Sequence, residues 1–133
     1  METMQGMGPL KTGEVKLFSY FRSSSSFRVR IALNFKKIPY QTIGVHLLEA
    51  QQSSAEYKKL NPSGLVPALW IDDACLSESL PILEYLEETR PECPLLPKSP
   101  LDRVQVIFSP QQKRSELFVN ISMAICSHCR TSD

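Results

Sequence analysis

The 133-residue sequence lacks a surplus of charge of either sign. Its 15 lysines and arginines are nearly balanced by 14 aspartates and glutamates, which leaves a formal net charge of +1. Proteins that bind nucleic acids or anionic membranes through electrostatics carry a larger positive charge or a basic patch. The composition therefore predicts neither a nucleic acid nor a membrane as a partner.

Long hydrophobic runs are also lacking. No stretch approaches the roughly 20 apolar residues that span a bilayer, and the first residues, METMQGMGPLKTGE, lack the apolar core of a signal peptide. The few cysteines show no spacing typical of a disulfide framework: Cys75, Cys93, Cys126 and Cys129. We therefore predict a reduced intracellular compartment, the cytoplasm, with the mitochondrion as the alternative.

The last two cysteines flank His128 in a CSHC pattern. This is half of a zinc-binding pattern, and no second half lies nearby. We therefore expect no metal site.

What the sequence does contain is a strand-to-helix transition at four consecutive serines, Ser23 to Ser26. Val15–Tyr20 is apolar and strand-like, and Val29, Ala32 and Leu33 are spaced for one face of a helix. Serine hydroxyls accept hydrogen bonds from the unpaired amides of a first helical turn. Those amides and the helix dipole also attract an anion, for example a thiolate. A plain helix cap remains the simpler alternative for the serine run.

Further strands and helices alternate along the chain. Ile38-Pro39 is expected to end the first helix, and Tyr40–Leu47 reads as a second strand, parallel to the first. Ser53 and Glu56 fit the capping box of a short helix. The predicted class is α/β with the order βαβαββα, completed by a hairpin at Asp72-Asp73 and a third helix with Pro81 in its first turn.

The domain organisation follows from composition. Residues 1–14 are predicted to form a mobile leader, and 15–90 a single domain. Prolines at every third position make 91–100 an extended, proline-rich linker. Residues 101–133 are predicted to contain the start of a helical domain followed by an unrelated tail.

Several motifs together resemble the N-terminal domain of glutathione transferases, and specifically the zeta class. They are YFRSS at 20–24, FRVRIAL at 27–33, LNP at 60–62, VPAL at 66–69 and EYLEETRP at 84–91. The resemblance implies a thioredoxin-like fold that binds glutathione. Zeta-class proteins continue into an all-helical domain, whereas the likeness here ends after Val106, so we expect that domain to be largely missing.

The resemblance also implies roles for particular residues. Ser24 is implied to stabilise the glutathione thiolate, flanked by Ser23 and by Ser25, where the family commonly has cysteine. Arg28 is implied to attract substrate carboxylates, with a solvated helix residue as the alternative. The implied glutathione contacts are Ser23, Ser24, Gln52, Val66, Pro67 after a cis peptide bond, Glu78 and Ser79. Their alternatives are a solvated side chain for Gln52, a hairpin edge for Pro67 and a helix cap for Ser79.

The implied activity is the glutathione-dependent cis–trans isomerisation of maleylacetoacetate to fumarylacetoacetate, in phenylalanine and tyrosine catabolism, with glutathione transferase activity. The implied partners are a small-molecule electrophile and, as in the family, a second copy in a homodimer. A second hypothesis is a non-catalytic glutathione-binding fragment that pairs with full-length subunits. A third, a thioredoxin-like redox protein, needs a thiol at the strand–helix turn, where residues 23–26 are serines.

Overall fold

The computed structural model describes the backbone of residues 8–107 and the side chains of residues 8–104. The predicted features of residues 1–7 and 108–133, including Cys126 and Cys129, lie outside the described residues. The strands and helices are β1 (Lys16–Ser19), α1 (Ser24–Phe35), β2 (Gln41–Gly44), α2 (Ala55–Leu60), β3 (Ala68–Ile71), β4 (Ala74–Ser77), α3 (Ser79–Thr89) and α4 (Pro100–Ile107). Two 3-10 turns, Leu47–Glu49 and Gln51–Ser53, separate β2 from α2.

The four strands form one mixed sheet in the order β2-β1-β3-β4. β1 and β2 are parallel, with Phe18 opposite Ile43. β3 is antiparallel to both of its neighbours, so that Ala68 lies opposite Phe18 on one side and Ser77 on the other. The predicted thioredoxin-like βαβαββα order and its parallel first pair are confirmed.

Both faces of the sheet are covered. On one face, Tyr57 of α2 belongs to a cluster of buried residues. The members of the cluster are Phe18, Ile43, Val45, Tyr57 and Ala68. Successive side chains of a strand point to opposite faces, so Leu17 and Leu69, paired in register, belong to the other face. Both are fully buried, as are the predicted helix residues Val29, Ala32 and Leu33.

Helix α1 begins as predicted but ends differently. Ser23 caps it, since the Ser23 Oγ accepts from the Ser26 N–H at 3.1 Å. At the other end Ile38 N–H donates to the Leu33 carbonyl at 2.9 Å and Lys37 N–H to the Asn34 carbonyl at 3.0 Å. Lys37 has a φ of 55°, the left-handed conformation of a Schellman motif. The helix therefore ends before Pro39 and needs no proline to stop it.

Two other predicted boundaries are wrong. β2 ends at Gly44 instead of continuing to Leu47, which begins a 3-10 turn. The cap of α2 is Ser54 and not Ser53, because the Ser54 Oγ accepts from the Tyr57 N–H at 3.2 Å. Glu56 is then one position too early to complete a capping box.

The β3–β4 hairpin turns through Asp72 and Asp73, whose φ values are 50° and 60°. Two successive positive values are typical of the tight turn that matches the twist of a hairpin, and aspartate tolerates them better than most residues. The Tyr85 hydroxyl on α3 donates to the Asp72 carboxylate at 2.7 Å. This hydrogen bond ties the turn to α3.

The chain divides into two compact units, Met1–Leu86 and Glu87–Asp133. In the second unit the Glu87 carboxylate accepts from the Leu95 and Leu96 N–H groups at 2.7 and 3.1 Å. The predicted boundaries at residues 14, 90 and 100 remain predictions. Within residues 8–107, no helix has both the length and the apolar character that crossing a bilayer requires.

Candidate functional site

Four segments that carry predicted site residues meet at one end of the sheet. β1 and β2 are parallel, so the segments that follow them leave at the same end. Ala68 pairs with both Phe18 and Ser77, so the residues before β3 and those after β4 lie beside the end of β1. The segments are Ser23–Arg28, the 3-10 turn with Gln52, Val66–Pro67 and Glu78–Ser79. We call this end of the sheet the site end.

The three serines predicted to belong to the site, Ser23, Ser24 and Ser25, have different surroundings. The Ser23 hydroxyl is used as the helix cap. Ser24 is the first helical residue and is exposed. The Ser25 Oγ accepts a hydrogen bond from Arg28 Nη2 at 3.2 Å. Ser24 therefore presents its hydroxyl to solvent beside the unpaired amides of a helix N-terminus, a favourable position for an anion.

Arg28 lies on the same helix face as Ser24 and Ser25, four and three positions further on, respectively. It is half-buried, and its bond to Ser25 turns the guanidinium back towards the first turn of α1. The alternative of a freely solvated helix residue is therefore not supported. The arrangement adds a positive charge near the N-terminus of α1.

The segment before β3 contains the predicted cis bond. The Val66–Pro67 peptide is cis, which confirms that prediction, and Pro67 is fully buried. β3 is an inner strand with β1 and β4 on its two sides, so the alternative of an edge position for Pro67 is wrong. Val66 itself is half-buried.

Glu78 and Ser79 stand at the start of α3. The Glu78 carbonyl accepts from the Ile82 N–H at 3.2 Å, and Glu78 has a φ of 66°. A glutamate rarely adopts this left-handed conformation, which costs of order 1 kcal/mol or more and is often found at functional sites. Ser79 is only 7% exposed. Its backbone belongs to the first turn of a helix of 11 residues, where N–H groups attract a carboxylate.

Gln52 lies in the second 3-10 turn and is half-buried. Its Oε1 is buried and accepts no hydrogen bond within the described part of the chain. An unpaired buried acceptor costs about 1–3 kcal/mol. Gln52 is therefore not the simple solvated side chain of the alternative interpretation.

The sequence does not reveal that two side chains, Tyr57 and Asn61, hold the carbonyl of Leu65, just before the Val66–Pro67 segment. We call this pair of hydrogen bonds the brace. The Leu65 carbonyl accepts two hydrogen bonds, from the Tyr57 hydroxyl at 2.6 Å and from Asn61 Nδ2 at 2.8 Å. Burial raises the pKa of Tyr57 to about 12, although the hydrogen bond with Asn61 opposes this shift. The hydroxyl therefore remains a donor at neutral pH. The motif LNP marks a turn, but nothing in its residue pattern identifies this carbonyl as the acceptor.

A groove of about 480 Å³ lies beside the ends of β1 and β2, and Ser19, Tyr20, Gly44 and His46 are among the residues that line it. None of the predicted glutathione contacts lines it. Beside it the His46 N–H donates to the Gln51 Oε1 at 2.8 Å. The groove therefore also lies at the site end, but residues other than the predicted glutathione contacts line it.

The cysteines of the described residues lie elsewhere. Cys75 is a half-buried residue of β4, and Cys93 belongs to the second compact unit. Burial raises the pKa of the Cys75 thiol, whereas a reactive redox thiol needs a lowered pKa. The first turn of α1 contains serines where a thioredoxin-like redox protein needs its thiol. The structure gives the redox hypothesis no support.

Comparisons with known proteins identify the same part of the chain. The family model described as "Glutathione S-transferase, N-terminal domain" matches residues 22–89. A maleylacetoacetate isomerase from Dictyostelium discoideum is 55% identical over 89 residues, which cover 65% of this chain and 41% of that protein. A zeta-class glutathione S-transferase from Euphorbia esula is 54% identical over 84 residues, covering 63% and 37% of the two chains.

A solved structure agrees with these sequences. The maleylacetoacetate isomerase from Methylobacterium extorquens AM1, with bound malonate and GSH, superposes with a TM-score of 0.67 at 44% identity. The match covers 70% of this chain and 44% of that one. The chain thus spans less than half the length of these relatives. It belongs to the glutathione S-transferase family, and residues 22–89 correspond to the family's N-terminal domain.

Proposed function

We propose that the chain binds glutathione at the site end and, as part of a zeta-class enzyme, uses the bound thiolate for cis–trans isomerisation. The observation that carries the proposal is the register of the sheet, in which Ala68 pairs with both Phe18 and Ser77. This pairing brings a helix N-terminus with an exposed serine, a buried Pro67 and a second helix N-terminus to one end. The relatives named maleylacetoacetate isomerase and zeta-class glutathione S-transferase, 55% and 54% identical, support the same function.

Glutathione is an extended tripeptide with a charged group at each end. We propose that the Val66 backbone pairs with its cysteinyl part. At the γ-glutamyl end, Ser79 and the N-terminus of α3 receive the carboxylate, and Glu78 receives the ammonium group. Gln52 contacts the glycyl end.

The thiol then lies at the start of α1. Ser24 donates to the thiolate from an exposed position, while Ser23 caps the helix and Ser25 holds Arg28. A hydroxyl donor, a helix dipole and a guanidinium all favour the ionised thiol. Arg28 also provides a positive charge for a carboxylate of the electrophile.

The proposed reaction is an addition followed by an elimination. The thiolate forms a carbon–sulfur bond to one carbon of the cis double bond, and the π electrons move to the conjugated carbonyl as an enolate. The remaining carbon–carbon single bond rotates. The enolate electrons then re-form the double bond in the trans geometry and expel the thiolate, so glutathione is regenerated.

A second candidate is a glutathione-binding fragment without catalysis. In this case the fragment would pair with full-length subunits.

For either candidate we infer a cytoplasmic location and a small-molecule electrophile as the second ligand, and we infer a homodimer for the complete enzyme.

The test is calorimetric titration of glutathione into the chain, with Ser79→Ala as the diagnostic variant. Loss of a hydrogen bond to a carboxylate is expected to weaken binding about tenfold or more. Ser99→Ala is the matched control, because Ser99 accepts from the Asp102 N–H at the start of α4, at another helix N-terminus. An isomerase assay then separates the enzyme from the binding fragment. A folded chain that does not bind glutathione would disprove both candidates.

A further inference from the structure

We propose that Tyr57 and Asn61 are positioning residues for glutathione, because together they fix the peptide group that links Leu65 to Val66. The inference rests on the proposed function, in which the Val66 backbone pairs with the tripeptide. Neither side chain is assigned a contact with glutathione. They act through the backbone that does make the contact.

The geometry of this brace is specific. The Tyr57 hydroxyl lies 2.6 Å and the Asn61 Nδ2 2.8 Å from the Leu65 carbonyl oxygen. Tyr57 is fully buried and Asn61 is 2% exposed. A carbonyl oxygen has two lone pairs, and two strong donors occupy both. The direction of this carbonyl is therefore fixed by two residues of the α2 region.

A peptide group is planar, so the carbonyl of one residue and the N–H of the next are held together. In the trans Leu65–Val66 peptide these two groups point in opposite directions. With the Leu65 oxygen held towards Tyr57 and Asn61, the Val66 N–H must point away from them. The brace therefore determines where the donor that we assign to glutathione is aimed.

Asn61 extends the same control to the Gln52 segment. Its Oδ1 accepts from the Ser63 hydroxyl at 2.7 Å and from the Ser63 N–H at 3.3 Å. The turn that results brings Gly64, with a φ of +62°, against the 3-10 turn, since a Cβ at this position would lie 3.2 Å from the Gln52 carbonyl oxygen. One brace thus supports two segments assigned to the ligand.

The test compares Tyr57→Phe and Asn61→Asp with the wild-type chain. Tyr57→Phe removes one donor and keeps the ring. Asn61→Asp keeps the acceptor for Ser63 and replaces the Nδ2 donor by a carboxylate oxygen that repels the Leu65 carbonyl. The control is Tyr85→Phe, which removes a hydroxyl bonded to Asp72 at 2.7 Å at the other end of the sheet.

Two quantities are measured: the glutathione dissociation constant and the hydrogen-exchange rate of the Val66 amide without ligand. Loss of one hydrogen bond is expected to weaken binding about fivefold in Tyr57→Phe, and about tenfold or more in Asn61→Asp. The Val66 amide should exchange faster in both variants. In Tyr85→Phe both quantities should stay within about twofold of the wild type.

A purely structural role predicts a different result. Variants that unfold at lower urea concentration but bind glutathione like the wild type would overturn the inference and leave the proposed function standing. If Asn61→Asp does not fold, Tyr57→Phe alone decides between these results. A wild-type chain that does not bind glutathione would overturn both the inference and the proposed function.

Discussion

The two ends of the sheet differ in how their polar side chains are paired. At the end opposite the site end, polar groups bond to one another: Lys16 pairs with Glu14 at 3.0 Å and donates to the Pro9 carbonyl at 3.3 Å. Tyr85 closes the hairpin turn through Asp72. At the site end, Ser24 and Glu78 are exposed and the buried Gln52 Oε1 accepts no bond.

We infer from this difference that the site end contributes mainly to the proposed ligand binding and the opposite end mainly to stability. At one end Lys16 and Tyr85 bond within the chain, although the buried Trp70 Nε1 has no partner among the described residues. At the other end, Ser24 and Glu78 are exposed. We expect substitutions at the site end to change ligand chemistry with little effect on unfolding. Substitutions at the opposite end should do the reverse.

The largest expected effect comes from Ser24→Ala. Because Ser24 is exposed and its hydroxyl is assigned to the thiolate, the substitution should raise the pKa of the bound glutathione thiol and lower isomerase activity roughly tenfold to a hundredfold. The free energy of unfolding should stay within about 0.5 kcal/mol of the wild type, as for most surface substitutions. Thiolate absorbance against pH measures the first quantity and urea unfolding the second.

Ser24→Thr is the control, since it keeps the hydroxyl and should retain most of the thiolate. An unchanged thiol pKa in Ser24→Ala would show that the helix N-terminus and Arg28 suffice, and the assignment of Ser24 would then be wrong.

A smaller effect is expected at Tyr57, under the site end. Burial raises its pKa from 10.0 to about 12, so the folded state favours the neutral phenol. The contribution of the neutral Tyr57 phenol to the free energy of unfolding is fully present below pH 10.0, and it is lost as the pH rises through about 12. The urea midpoint of the wild type should therefore fall more steeply over this range than that of Tyr57→Phe. Parallel curves for the two proteins would contradict the burial of this phenol.

The smallest effect is expected for Glu14→Gln at the opposite end. The hydrogen bond from Lys16 lowers the pKa of the Glu14 carboxyl below 4.5, so its stability contribution is present above that pH and is lost on acidification. Glu14→Gln should be slightly less stable at pH 7, and the difference should vanish as the pH falls below 4.5. Glutathione binding should not change. A difference that persists in acid would point to packing and not to charge.

The sequence predicts the topology well because each strand and helix has a local signature. Alternating apolar residues, the serine run and the Asp72-Asp73 turn each act over a few positions, and their order leaves few possible arrangements. Boundaries are less certain. Ser53 and Ser54 are adjacent, and the choice between them depends on which cap buries Tyr57, a property of the tertiary structure.

The site was predictable only through resemblance to a family, and the roles of its residues remain predictions. Residue types at the start of a helix indicate a possible anion site but not its ligand. The bonds from Tyr57 and Asn61 to Leu65 join residues eight and four positions apart across an irregular turn. No periodic pattern corresponds to such bonds, so they are visible only in the structure.

The hydrogen bond between His46 and Gln51 bears on aggregation. The N–H groups of Gln41 and Val45 point inward to β1, so by alternation those of Thr42, Gly44 and His46 point outward along the open edge of the sheet. The Gln51 Oε1 accepts a hydrogen bond from the last of these donors, the His46 N–H, at 2.8 Å, as a carbonyl of a neighbouring strand would. Only two outward amides then remain for a foreign strand. A side-chain amide thus shortens the edge that another chain would otherwise extend into a fibril.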